Sequence, residues 1–132
     1  MSEGSILIVC EEPSVVRAAQ VTLAAKGYEV ANISSIEEVL RLKNPEQYDL
    51  LLLDSDTFPS STASVCRQIR ACGDMAIIVM SGDDSEETKT QAILAGADAY
   101  LPKPFGVAEM FTRVRANIRK TRLVTAPQAL VS

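Results

Sequence analysis

Four short apolar runs in this sequence each end on side chains that can do chemistry. Ser5–Cys10 runs into Glu11 and Glu12, Tyr48–Leu53 into Asp54, Ala76–Met80 into Ser81, and Ala99–Leu101 into Pro102 and Lys103. Carboxylates, one hydroxyl and one amine form a set suited to phosphoryl chemistry. A carboxylate is a weak nucleophile but can accept a phosphoryl group as an acyl phosphate. The transfer needs charge neutralised on the phosphoryl oxygens, by Mg²⁺ or a cationic side chain. Mg²⁺ takes hard oxygen ligands, typically one or two carboxylates completed by water and phosphate oxygens. Glu11 or Glu12 with Asp54 meets that need, Lys103 supplies a point charge, and the Ser81 hydroxyl can donate to a further oxygen.

The apolar runs read as strands and the stretches between them as helices. Ser5–Cys10 is uniformly apolar, as in a strand buried on both faces. A helix follows from Pro13 to Lys26, with proline in its first turn and Gly27 just past its end. Tyr28–Ile33 reads as a second strand. Ser35 with Glu38 forms a capping box for a helix reaching about Lys43, before Pro45. Tyr48–Leu53 is the third strand. A Ser- and Thr-rich loop leads to a third helix over roughly Ala63–Ala71. Ala76–Met80 is strand four, and Ser85 caps a fourth helix that carries Glu86 and Glu87 in its first turn and ends at Gly96. Ala99–Leu101 is a short fifth strand. A last helix runs from about Gly106 to Lys120, with Val107, Met110, Phe111, Val114 and Ile118 on one face.

Five strand-helix units predict a doubly wound parallel α/β sheet. Right-handed crossovers place helices on both faces. Ligands of such sheets bind beyond the carboxyl ends of the strands, where the four polar groups sit. Residues 121–132 lose the helical period and read as a linker or C-terminal tail after a single domain spanning 1–120.

Composition narrows the function. The 132 residues are 47% hydrophobic and 23% charged, within the range of an ordinary globular domain. Net charge is −4, and basic residues gather only between Arg113 and Arg122, so direct nucleic-acid binding is not expected. Histidine is absent, which removes His-based triads and most zinc sites. The three cysteines, Cys10, Cys66 and Cys72, lack metal-site spacing and fit reduced thiols in a cytoplasmic protein. No apolar run is long enough to span a membrane, and the N-terminus lacks the pattern of a signal peptide.

The segments ILIVCEEPSVVR, LLLLD, IIVMSG and GADAYLPKPF, in this order and spacing, resemble the receiver domains of bacterial response regulators over roughly residues 5–120. The resemblance implies the flavodoxin-like strand order 2-1-3-4-5. It implies that Asp54 is phosphorylated by a histidine kinase or phosphotransfer protein, that Mg²⁺ is the cofactor, and that Glu11, Asp54 and the backbone carbonyl of Asp56 bind the metal. Ser81 matches the switch hydroxyl, Lys103 the lysine that holds the phosphoryl group, with a Lys-Pro bond that is usually cis, and Tyr100 the aromatic that turns inward on activation. Output is expected on the face of the fourth helix, fifth strand and fifth helix, by partner binding or homodimerisation. There Lys89, Asp98 and Arg113 match dimer salt-bridge positions of winged-helix regulators, although Ala99 replaces a common Asp. No turnover is expected beyond self-phosphorylation and self-dephosphorylation at Asp54.

The sequence also departs from the family pattern. Cys10 stands where the first acidic residue is usual, and Glu11 is longer than the usual Asp. Asp56 adds a carboxylate that could attract Mg²⁺ but would repel a phosphoryl group. These changes keep open a pseudo-receiver that binds partners without phosphorylation. A flavodoxin-like cofactor binder is disfavoured, because CEEPSV stands where a Gly-rich phosphate loop would be.

Overall fold

The computed structural model describes residues 2–58 and 61–125. Five strands, β1 (Gly4–Val9), β2 (Tyr28–Ile33), β3 (Leu50–Asp54), β4 (Ala76–Ser81) and β5 (Ala99–Pro102), pair in parallel in the order β2-β1-β3-β4-β5. Five helices, α1 (Pro13–Ala25), α2 (Ile36–Leu40), α3 (Thr62–Arg70), α4 (Glu86–Leu94) and α5 (Val107–Thr125), cover both faces. Among the described residues no helix is long and apolar enough to cross a membrane.

The apolar runs explain the layering. Alternate residues of a strand point to opposite faces, so a strand covered on both faces must be apolar throughout. In β3, Leu50 to Leu53 are all fully buried. Ile6, Ile8, Leu50, Leu52, Ile78 and Leu101 pack on one face with Leu23 of α1 and Met110, Val114 and Ile118 of α5. Leu7, Val9, Leu51, Leu53, Ile77 and Val79 pack on the other with Ile36 and Val39 of α2, Val65 and Ile69 of α3, and Ala92 of α4.

Several expected boundaries shift. α2 ends at Leu40, short of Lys43, and a 3₁₀-type bond from the Leu42 amide to the Val39 carbonyl closes its last turn. Pro45 then opens a single 3₁₀ turn over Pro45–Gln47. α5 instead passes Lys120 and reaches Thr125. No glycine or proline stands between Lys120 and Thr125 to interrupt it. The rest of the expected tail, residues 126–132, lies outside the described residues, as do Pro59 and Ser60 of the loop before α3. The helix ends read correctly at Gly27 and Gly96, whose φ values of 97° and 123° lie in the region that favours glycine.

Arg70, at the end of α3, ties together two loops, the one that leads into β4 and the one that leads into β5. Its guanidinium donates to the carbonyls of Gly73 (3.2 Å), Met75 (2.7 Å) and Gly96 (2.7 Å) and pairs with Asp98 at 2.8 Å. Asp98 also accepts from the Ile77 amide at 2.8 Å. This residue, one of the expected dimer charges, is thus engaged within its own chain and fixes the start of β4 against β5. Arg70→Ala strands several partly buried acceptors at once, and urea unfolding should show a loss of about 2–3 kcal/mol. Arg67→Ala, on the exposed side of the same helix, should stay within about 0.5 kcal/mol of the parent.

Candidate functional site

The sheet register assembles the strand-end residues. Val9 pairs with Leu53, so the next residues, Cys10 and Asp54, emerge side by side. Asp54 pairs with Met80, one residue before Ser81. Ser81 pairs with Pro102, one residue before Lys103, and the Lys103 amide donates to the Ser81 carbonyl at 2.8 Å. Each step along the sheet therefore presents one further functional group at the same edge. The Lys103–Pro104 bond is cis, as the resemblance implied.

Asp54 is 1% exposed. Its Oδ1 accepts from Lys103 Nζ at 2.9 Å and from the Asp56 amide at 3.2 Å. The Cys10 thiol donates to its Oδ2 at 3.3 Å. Cys10 closes the apolar run read from the sequence as a buried strand; it is buried, but it is also a hydrogen-bond partner of the acceptor. Burial pushes its thiol up to about 11, and the neighbouring Asp54 carboxylate adds to the shift. At neutral pH it is therefore a neutral donor, where the usual acidic residue would add negative charge.

Asp56 departs most from expectation. The family resemblance assigned it a backbone carbonyl for a metal, yet its side chain meets three of the site's donors. Asp56 Oδ2 lies 3.1 Å from Lys103 Nζ. The Ser81 hydroxyl donates to Oδ1 at 3.0 Å, and the Gly82 amide donates to both oxygens at 3.1 Å. Burial would raise this carboxylate, but the Gly82 amide, Lys103 and Ser81 outweigh it and hold Asp56 below its usual range. Burial likewise opposes the Lys103 charge, but Asp54 and Asp56 together raise the ammonium above its ordinary value. Gly82 was missed in the sequence, because a main-chain donor has no residue signature.

Tyr100 is 7% exposed, and its hydroxyl donates to the Asp83 carbonyl. Burial raises the phenol, while the nearby Ser81 hydroxyl works the other way. The aromatic and the hydroxyl of the expected switch are thus adjacent, and the ring is already inward.

The expected metal ligands do not gather. Glu11 and Glu12 are exposed. The Asp56 carboxylate faces Lys103, and a neutral thiol occupies the acidic position beside Asp54. Among the described residues no three His, Cys, Asp or Glu side chains converge in a way that could hold a metal ion. As arranged, this donor set does not fit Mg²⁺.

Comparison with known proteins places the chain in a family. The model of the response regulator receiver domain family matches residues 6–115, and the chain belongs to that family. Among curated relatives, the response regulator MprA of Mycobacterium ulcerans is 35% identical over 119 residues, covering 89% of this chain and 51% of the relative. The transcriptional regulatory protein KdpE of Mycobacterium tuberculosis is 33% identical over 115 residues, covering 87% of this chain and 51% of the relative. The chain thus spans about half the length of these relatives. Two solved structures share the fold. The receiver domain of Francisella response regulator 1452 superposes with a TM-score of 0.81 at 24% identity, covering 90% of this chain and 99% of that one. A CheY-like receiver domain protein from Methanospirillum hungatei gives 0.81 at 24% identity, covering 92% and 98%.

The three cysteines make the burial testable. Cys72 is exposed, whereas Cys10 and Cys66 are buried with thiols pushed up to about 11. A disulfide-exchange reagent at pH 8 should titrate about one thiol in the folded protein and all three after denaturation. Rapid reaction of Cys10 in the folded chain would contradict its place under Asp54.

Proposed function

We propose that Asp54 accepts a phosphoryl group from a histidine kinase or phosphotransfer protein, and that the change is read on the face formed by α4, β5 and α5. One observation carries this reading. A buried carboxylate closes the central strand with Lys103 on one oxygen at 2.9 Å, and the Ser81 hydroxyl lies one register step away.

In the transfer, an Asp54 oxygen attacks phosphorus while the bond to the donor's nitrogen or oxygen breaks and that atom keeps the electron pair. Lys103 has its ammonium already placed to follow the negative charge onto the phosphoryl oxygens. The Ser81 hydroxyl and Gly82 amide can donate to the others. The Cys10 thiol steadies the second carboxylate oxygen without adding charge. Preplaced donors of this kind lower the barrier because they need not reorganise during the reaction.

A second reading is a pseudo-receiver, a binding module that works without phosphate. The Asp56 carboxylate on Lys103, Ser81 and Gly82, together with the dispersed acidic residues, favours it. Intact mass after incubation with acetyl phosphate separates the two. The receiver reading expects a gain of one phosphoryl group that Asp54→Asn abolishes, measured with and without Mg²⁺. A folded wild-type protein that gains nothing under either condition points to the pseudo-receiver.

A further inference from the structure

The Asp56 carboxylate collects the donors that an acyl phosphate on Asp54 would need. It takes a cation from Lys103, a hydroxyl hydrogen from Ser81 and a main-chain hydrogen from Gly82, at 3.1, 3.0 and 3.1 Å. A phosphoryl group presents the same kind of ligand, an anion with several acceptor oxygens on one centre. Both carboxylates touch the same ammonium, so Asp56 stands beside the acceptor oxygen. The switch residues are already in the arrangement expected after phosphorylation. The Ser81 hydroxyl is turned onto an anion, and Tyr100 is buried with its hydroxyl on the Asp83 carbonyl. Ser81 also ties this anion to the turn ahead of α4, because its Oγ accepts from the Asp83 amide at 3.0 Å.

We infer that Asp56 is an internal substitute for the phosphoryl group. It holds Ser81, Gly82 and Tyr100 in the engaged state before any transfer, and it must leave those donors for Asp54 to be phosphorylated. The inference rests on the receiver reading for the role of Asp54, but the effect of Asp56 on Tyr100 can be measured without any transfer. Asp56 is a positioning residue in this scheme: it acts through Ser81 and Lys103 and forms no bond to phosphorus. Removing it has two opposite consequences. The switch loses the anion that holds it, while the acceptor loses a competing negative charge.

The test uses the whole chain, labelled with ¹⁵N and with fluorotyrosine at its three tyrosines, and assigns Tyr100 with Tyr100→Phe. Wild type, Asp56→Ala and Asp56→Asn are compared before and after beryllofluoride with Mg²⁺. The wild-type Tyr100 signal should sit at its buried position throughout. In Asp56→Ala the Tyr100 and Gly82 signals should move away without the anion and return towards the wild-type position when it binds. Asp56→Asn keeps the shape without the charge and should fall between the two. Acetyl phosphate should label Asp54 about tenfold faster in Asp56→Ala than in wild type, as expected when a like charge is removed from close range. Unchanged Tyr100 and Gly82 signals in both folded variants would overturn the inference. Failure of Asp54 to be labelled in any of the three proteins would instead refute the receiver reading, and the comparison before anion addition would still decide the part played by Asp56.

Discussion

The site depends on a single ammonium placed between two carboxylates. Lys103 lies 2.9 Å from Asp54 and 3.1 Å from Asp56. Two unit charges about 5 Å apart repel by roughly 3 kcal/mol at an effective dielectric of about 20. A shared cation at hydrogen-bond distance from both more than offsets that. The Gly82 amide and Ser81 hydroxyl then satisfy the remaining acceptor capacity of Asp56. Because the ammonium serves two anions, neither can move without changing the electrostatic environment of the other.

The fold exists, at this edge, to keep that ammonium in place. Parallel strands all end on the same side, and a strand buried on both faces tolerates polar groups only where it ends. Asp54, Ser81 and Lys103 therefore share one edge, each offset by one residue along neighbouring strands. The backbone bond from Lys103 to Ser81 fixes the base of the lysine, and Arg70 and Asp98 brace the opposite ends of β4 and β5. Lys103 reaches its partners from a rigid frame, which is what a site with angstrom-scale requirements needs.

Much of this was legible in the sequence, and most of what was not has a common cause. The strand runs, the caps at Ser35 and Ser85, and the strand ends carrying Asp54, Ser81 and Lys103 follow from periodicity and residue type, which are local. The direction of the Asp56 carboxylate is not local. It depends on Ser81 and Gly82, more than twenty residues away in sequence, and on Lys103, just past the end of a third strand. The Cys10 thiol likewise gained its partner only through the pairing of β1 with β3. The pairing of Asp98 with Arg70 is likewise non-local, brought about by the packing of α3 against α4 and the strands beneath them. The lengths of α2 and α5 were misjudged for a different reason: amphipathic period is a weak guide to where a helix frays when no glycine or proline marks the place.

The energetics of switching follow from the exclusive use of the donors. Lys103, Ser81 and Gly82 cannot fully serve the Asp56 carboxylate and a phosphoryl group at once. A ligand shifts a two-state equilibrium only by the difference in its interactions with the two states. Where the unmodified state leaves these donors unsatisfied, the whole interaction with the phosphoryl group is available to drive the switch. Where Asp56 already fills them, only the surplus of one anion over the other remains. Moving a population from mostly one state to mostly the other takes about 5.5 kcal/mol of such difference. Under the proposed role of Asp54, a prefilled site therefore favours a domain whose output is set largely by its own sequence, with phosphorylation adjusting the balance instead of creating it.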